Sequence, residues 1–393
     1  MLFKDILGQE QAKKQLIHSV ENNRIPHAQL FVAPEGTGAL SLAIAYAQYI
    51  LCKNSDNENI NGDEACNLKF NKLIHPDLHF AFPVATTNKV KRHPVSDLFF
   101  EEWRNFIKEN PYGNALDWYA LLGIENKQGQ IGVDEAEAIV KKLSLKAYEG
   151  GFKILILWMA EKMNIAASNK LLKLVEEPPD KTILILITED EDQIIKTILS
   201  RCQIVKLFPL TENDVKTALV THHNIDHNTA TNIAHQANGN WNKALQIVHQ
   251  TNTDEKYEQW FITWIRTAFR AKGNATVIQD LIVWSETIAS TGREVQKNFL
   301  HYCLQFFRQA LLKNYAADSL VFLEPSTPNF DLDKFAPFIH GANIVEINHE
   351  INEAIYHIER NANAKIVLLD LSIKLTRLLH KKEEAKAHKN TQP

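Results

Sequence analysis

The sequence predicts an α/β domain on a parallel sheet, followed by helices alone. Three observations carry this. A short apolar strand at Leu30–Val32 runs through Pro34-Glu35-Gly36-Thr37-Gly38 into an Ala-, Leu- and Ile-rich helix from Ala39 to about Cys52, a strand–Gly loop–helix unit. Two continuous apolar runs, Lys153–Trp158 and Thr182–Thr188, read as parallel strands covered on both faces. After Pro209 runs of strand type stop. Alternation of strands and helices in the first half implies a doubly wound sheet.

In order along the chain, residues 9–23 fit an amphipathic helix, with Ala12, Leu16, Ile17 and Val20 on one face and Lys13, Lys14 and Glu21 on the other. The Gly loop unit follows. Residues 53–72 are polar and read as irregular. His75-Pro76-Asp77 precedes a strand at Leu78–Phe82. Residues 85–130 alternate polar loops, with Pro94 and Pro111, and a helix near 97–109; no role is assigned to this segment. A helix at 133–146 leads to Gly150-Gly151 and the strand Lys153–Trp158. A helix over 161–176 ends at Pro178-Pro179, which cannot continue it. After the strand Thr182–Thr188 come a helix near 192–199 and a strand at Gln203–Leu207. Residues 211–250 read as two or three short helices. From 254 onward helical spacing holds, as in Tyr257, Trp260, Phe261, Trp264, Ile265 and Ala268, or Leu300, Leu304, Phe307 and Leu311. A last helix covers about 362–381, and the charged tail from Lys381 to Pro393 is expected to fray. The expected division is an α/β domain at 1–208, a small helical domain at 209–251 and a larger helical domain at 252–393.

Composition narrows the function classes. The 393 residues hold 43 basic and 47 acidic side chains, a formal charge of −4. A stand-alone DNA-binding domain carries a basic excess, so any nucleic-acid contact is local or shared with partners. Four cysteines are too few for a disulfide scaffold and are read as free thiols in a reducing compartment. The longest apolar runs, Ile154–Ala160 and Ile183–Ile187, fall far short of the ~20 residues that span a bilayer. No signal peptide is evident at the N-terminus, and a cytoplasmic protein without membrane attachment is expected.

The Gly loop lacks the chemistry of a nucleotide site. Such a loop wraps phosphates with backbone N–H groups, adds a Lys for the β- and γ-phosphates and a Ser or Thr for Mg²⁺. Gly36 and Gly38 are present, but Ala39 and Leu40 stand where the Lys and hydroxyl belong. An acidic pair is also due at the end of a buried strand. There the chain has Trp158-Met159, with no carboxylate before Glu161. Two halves of a hydrolytic site are missing from a scaffold that otherwise fits, although the loop taken alone reads equally well as a plain strand-to-helix turn.

With these segments in place, the sequence resembles the delta-prime subunits of the bacterial DNA polymerase III clamp loader, members of the AAA+ superfamily with the P-loop NTPase fold. The matching text is Phe3-Lys4-Asp5-Ile6-Leu7-Gly8-Gln9, Arg24-Ile25-Pro26-His27-Ala28, Asn169-Lys170-Leu171-Leu172-Lys173-Leu174-Val175-Glu176-Glu177-Pro178-Pro179 and Ser200-Arg201-Cys202, in order over residues 1–208. The rest is similar only in layout. The resemblance implies an AAA+ domain with a degenerate nucleotide site at Gly36, Thr37, Gly38 and Thr188, the last at the sensor-1 position, followed by a helical lid and an all-α collar. The sensor-2 arginine of the lid would fall near Asn242, so it is absent too. It implies a chain that is not itself an active ATPase, within a DNA-directed DNA polymerase holoenzyme that opens a sliding clamp and places it on primed DNA. The implied partners are the motor subunit (tau/gamma), the delta subunit, the clamp and primer–template DNA. The implied catalytic contribution is Arg201 with Ser200, an arginine finger reaching ATP bound by the neighbouring subunit; no cofactor is assigned to this chain. On spacing alone Arg201 also reads as a surface arginine capping the preceding helix. The alternative function is an independent AAA+ ATPase in replication or repair.

Relatives of this kind often carry a four-cysteine zinc module after the Gly-loop helix. Here only Cys52 and Cys66 lie in that segment, with His75 and His79 as the remaining donors, so a degenerate module without metal is the reading taken and no metal is assigned. Cys202 is read as packed rather than nucleophilic. The other histidines, including His222, His223 and His227, are read as solvated. Lys89, Lys91 and Arg92 are read either as DNA-phosphate contacts or as a solvated loop. The aromatic stripe Tyr257, Trp260, Phe261, Trp264 and Phe269 is helix core whose exposed edge fits a collar contact.

Overall fold

A computed structural model describes residues 1–53, 63–149, 151–249, 253–321, 325, 327 and 330–382. The chain divides into two compact units, 1–249 and 250–393.

In the first unit, α1 (Glu10–Glu21) precedes β1 (Ala28–Val32), α2 (Ala39–Cys52), α3 (Glu64–Asn71) and β2 (Leu78–Ala81). Then come α4 (Phe100–Glu109), α5 (Ala115–Leu122), α6 (Val133–Ser144), β3 (Lys153–Trp158), α7 (Ile165–Glu176), β4 (Thr182–Thr188), α8 (Lys196–Leu199) and β5 (Gln203–Lys206). Helices α9 (Glu212–His223), α10 (His227–Ala237) and α11 (Trp241–Val248) close the unit. The five strands form one parallel sheet in the order β2-β3-β4-β1-β5, the sheet the alternating pattern predicts. Val32 aligns with Thr188 on one side and Lys206 on the other, and Trp158 aligns with Ile187. The carboxyl ends of β1, β3 and β4 therefore share one edge, where ligands bind in open α/β sheets.

Alternation along the strands feeds two cores. Phe31, Ile154, Ile156, Trp158, Ile183, Ile185 and Ile187 pack on the α2 face. Leu30, Leu155, Leu157, Leu184 and Leu186 pack on the face carrying α6, α7 and α8. Helix α2 is buried nearly all round, from Leu40 to Cys52, as its uniformly apolar sequence requires. A third core joins Val215, Leu219, Ile233 and Trp241 of α9–α11 to Tyr112 from the loop between α4 and α5.

Several boundaries differ from the sequence reading. The helix expected over 161–176 starts at Ile165, because Asn164 caps it by accepting from Ala167 N at 2.8 Å. The segment read as irregular over 53–72 contains α3, capped by Asp63, and 85–130 contains a second unforeseen helix, α5, capped by Asn114. Both have eight residues, too few for a clear periodic signal. Residues 54–62, the proposed boundary at 251–252 and the tail 383–393 lie outside the described residues.

Helix α3 explains the main correction. The four cysteines were expected to be free thiols, yet Cys52 at the end of α2 and Cys66 in the first turn of α3 are joined as a disulfide, with Cα atoms 5.5 Å apart. Both sulfurs are thus spent, leaving Cys202 and Cys303 as thiols. His75 is buried with its Nε2 3.3 Å from Glu149 Oε2, and burial lowers its pKa. Burial likewise lowers that of His79 on β2. Among the described residues no group of His, Cys, Asp and Glu is arranged to hold a metal ion, and no helix is long and apolar enough to cross a membrane.

The second unit contains α12 (Thr253–Arg270), α13 (Ala275–Ala289), α14 (Arg293–Asn314), α15 (Leu332–Phe335), α16 (Ile344–Glu359) and α17 (Ala364–Leu378). Helix α17 packs against α12, α13 and α16. Tyr257, Phe261 and Trp264 of the aromatic stripe are buried. Trp264 stacks on Trp284 at 5.0 Å and donates to Ser372 Oγ at 2.8 Å, which satisfies its indole N–H in the core.

Candidate functional site: a closed Gly loop and an exposed arginine

The Gly loop leaves β1 and turns into α2 with Gly36 at φ +71° and Gly38 at φ +86°. Both glycines are needed twice over. Side chains rarely adopt this backbone, and both positions are crowded. A Cβ on Gly36 would lie 1.9 Å from Asn240 Oδ1, and one on Gly38 would lie 2.4 Å from the Tyr112 ring. The loop is therefore a receptor for parts of the chain itself. Thr37 is buried, its hydroxyl donating back to Pro34 O at 2.7 Å. Leu40, where the metal-binding hydroxyl belongs, is core. Ser41 donates to Pro111 O at 2.8 Å and so ties α2 to the Tyr112 loop.

Tyr112 lines the loop, its ring set against Gly38. Its side chain is buried, and its hydroxyl accepts from Leu7 N at 2.9 Å. Burial pushes its pKa up to about 12, so it stays a neutral phenol. The remaining cleft, lined by residues 33–40, Pro111–Gly113, Trp158, Met159 and Ile187–Glu189, holds about 40 Å³. That is room for about three waters.

Around Tyr112 a polar network ties α11 and the α4–α5 loop to the Gly loop. Glu35 accepts from Asn114 Nδ2 and Asn240 Nδ2, both at 3.1 Å. Trp241 N donates to Gly36 O at 3.0 Å. Asn242, at the expected sensor-2 position, is buried and donates to Asp117 Oδ2 at 2.7 Å. Asn110 donates to the same carboxylate and to Asn242 Oδ1.

The other two strand ends are equally committed. Trp158 lies in an aromatic cluster, 5.2 Å from Trp103 and 5.5 Å from Phe106. A carboxylate there would be buried among aromatic rings, at a desolvation cost. Thr188 is buried; its hydroxyl donates to Asp190 O at 2.9 Å and accepts from Asp190 N at 3.2 Å, closing the turn after β4.

Arg201 lies between α8 and β5, on the surface. Its Nη1 donates to Thr197 O at 3.0 Å and Ser200 Oγ at 3.3 Å, and its Nη2 pairs with Glu176 Oε1 at 2.7 Å. The Arg201 side chain is 40% exposed. Its bond to Thr197 O is the helix-capping contact of the alternative reading. Burial pushes the neighbouring Cys202 thiol up to about 11, so it is no thiolate nucleophile at neutral pH.

Residues 8–211 match the model of the family described as DNA polymerase III, delta subunit. The chain belongs to this family. It is 27% identical over 212 residues to the delta-prime subunit of DNA polymerase III from Bacillus subtilis, covering 54% of this chain and 51% of that protein. It is 29% identical over 201 residues to the tau subunit from the same organism, covering 51% of this chain and 28% of that one. The chain thus spans about half the length of its delta-prime relative and less of tau. A crystal structure of a DNA polymerase III gamma-subunit-related protein from Thermotoga maritima aligns with a TM-score of 0.36 and 13% identity, covering 93% of this chain and 99% of that one.

Of the residues singled out from sequence, the structure brings Gly36, Thr37, Gly38, Thr188, Trp158 and Met159 to one edge of the sheet. Ser200 and Arg201 do not line that cleft. Sequence reasoning missed Tyr112, Glu35, Asn114, Asn240 and Glu176. The one local signal was an aromatic residue inside the Pro111-Tyr112-Gly113 turn, where a solvated loop has no need of one.

Proposed function

We propose that this chain is a non-hydrolysing, delta-prime-type subunit of a bacterial clamp loader. It lends Arg201 to the ATP site of an adjacent ATPase subunit. Its partners in this reading are the tau/gamma motor and delta subunits and, through the assembly, the sliding clamp and primer–template DNA. The observation that carries the non-hydrolysing part is Tyr112 seated against Gly38, in the loop where phosphates would be wrapped. Missing lysine, hydroxyl and acidic pair at Ala39, Leu40, Trp158 and Met159 point the same way. Arg201 supports the donor role by its exposure and its permanent charge. A guanidinium supplied in trans stabilises charge on the phosphoryl group as it transfers.

The test assembles the chain with its ATPase partner and compares it with the Arg201→Ala variant. Intact assembly with DNA-stimulated hydrolysis at the adjoining site reduced by about a hundredfold or more is expected. Unchanged hydrolysis and clamp loading would remove Arg201 from this role.

A further inference from the structure

Arg201 does not wait with an empty hand. Its Nη2 is bound to the carboxylate of Glu176 at 2.7 Å, while Thr197 O and Ser200 Oγ hold Nη1. We infer that Glu176 is the positioning residue of this arginine, holding the guanidinium back against the chain's own surface until a phosphate in the neighbouring site displaces the carboxylate. The inference rests on the reading of Arg201 as a donor in trans.

Three observations support it. Glu176 is the last residue of α7, where the negative end of the helix dipole disfavours a carboxylate, and Arg201 supplies the compensating charge. The helix end is fixed, because His27 Nε2 lies 3.0 Å from Val175 O. The pair is 40% and 44% exposed on its two sides, and pairs of this exposure are weak. Glu176 therefore restrains Arg201 without trapping it. A phosphate offers the guanidinium the same planar, charge-assisted recognition with more negative charge, so it exchanges for the carboxylate. Nη1 keeps its two neutral acceptors, which preserves the orientation of the guanidinium plane.

The experiment is a double-mutant cycle in the assembled loader, comparing wild type, Glu176→Gln, Arg201→Ala and the double variant by single-turnover ATP hydrolysis at saturating chain. Glu176→Gln is expected to raise the hydrolysis rate about two- to fivefold with KM for ATP unchanged, because the freed arginine acts at the transition state. In the Arg201→Ala background the same change is expected to do nothing. If Arg201→Ala leaves the rate unchanged, the donor reading itself fails. If Arg201→Ala lowers the rate but Glu176→Gln leaves it at or below wild type, or raises it equally without Arg201, the role of Glu176 is overturned and the donor reading stands.

Discussion

Gly38→Ala, made with and without Tyr112, dissects how the Gly loop is closed. In wild type the new methyl meets two obstacles. The backbone is at φ +86°, which costs an L-residue about 1–2 kcal/mol. The methyl also lies 2.4 Å from the Tyr112 ring. That ring cannot swing away cheaply, since its hydroxyl is held by Leu7 N and its face packs with the α9–α11 core. Overpacking of this kind adds about 1–3 kcal/mol. The sum for Gly38→Ala is about 2–5 kcal/mol. In a Tyr112→Ala background the steric part vanishes and about 1–2 kcal/mol of backbone strain remains. Tyr112→Ala alone should cost about 3–5 kcal/mol, as for other large aromatic truncations. Hydrogen exchange at the slowest β1 and α2 amides reads the opening of the first unit specifically. An identical cost of Gly38→Ala in both backgrounds would refute the placement of Tyr112 in the loop.

Other consequences are independent of this one. Thiol titration in denaturant without reductant should find Cys202 and Cys303 alone, and all four cysteines after reduction. Closing a loop across a sequence separation of 14 residues, the disulfide should contribute about 3 kcal/mol, read as a lower denaturation midpoint in dithiothreitol. Trp158→Ala should destabilise the first unit by about 3–5 kcal/mol in urea unfolding, since it empties the aromatic cluster. Burial lowers the His75 pKa in the fold below 6.5, so the unfolded chain takes up the proton first. Its contribution is therefore complete above pH 6.5 and lost as pH falls through the lower folded value. Unfolding midpoints compared at pH 8 and pH 5.5 should drop less in His75→Asn than in wild type.

The sheet was legible because its signals are local. Lys153–Trp158 and Thr182–Thr188 are apolar on both faces, and only a covered parallel strand needs that. The absence of lysine, hydroxyl and acidic pair was likewise visible at Ala39, Leu40, Trp158 and Met159. What replaced them was not. Tyr112 reaches the Gly loop across more than 70 residues of chain, and Glu35 meets Asn240 across 205; no periodicity carries such pairs. The disulfide was hidden because α3, which sets Cys66 beside Cys52, is too short and polar to announce itself. In the sequence Glu176 is only one residue of the Leu174-Val175-Glu176-Glu177 motif, since its contact with Arg201 depends on how α7 and α8 are packed.

The most direct measurement is ATP binding and turnover by the chain alone. With Tyr112 set against Gly38 and no lysine or acidic pair at Ala39 and Trp158-Met159, the proposed reading predicts neither binding at millimolar ATP nor hydrolysis above background. Robust hydrolysis by the isolated chain would contradict the account and favour the independent ATPase.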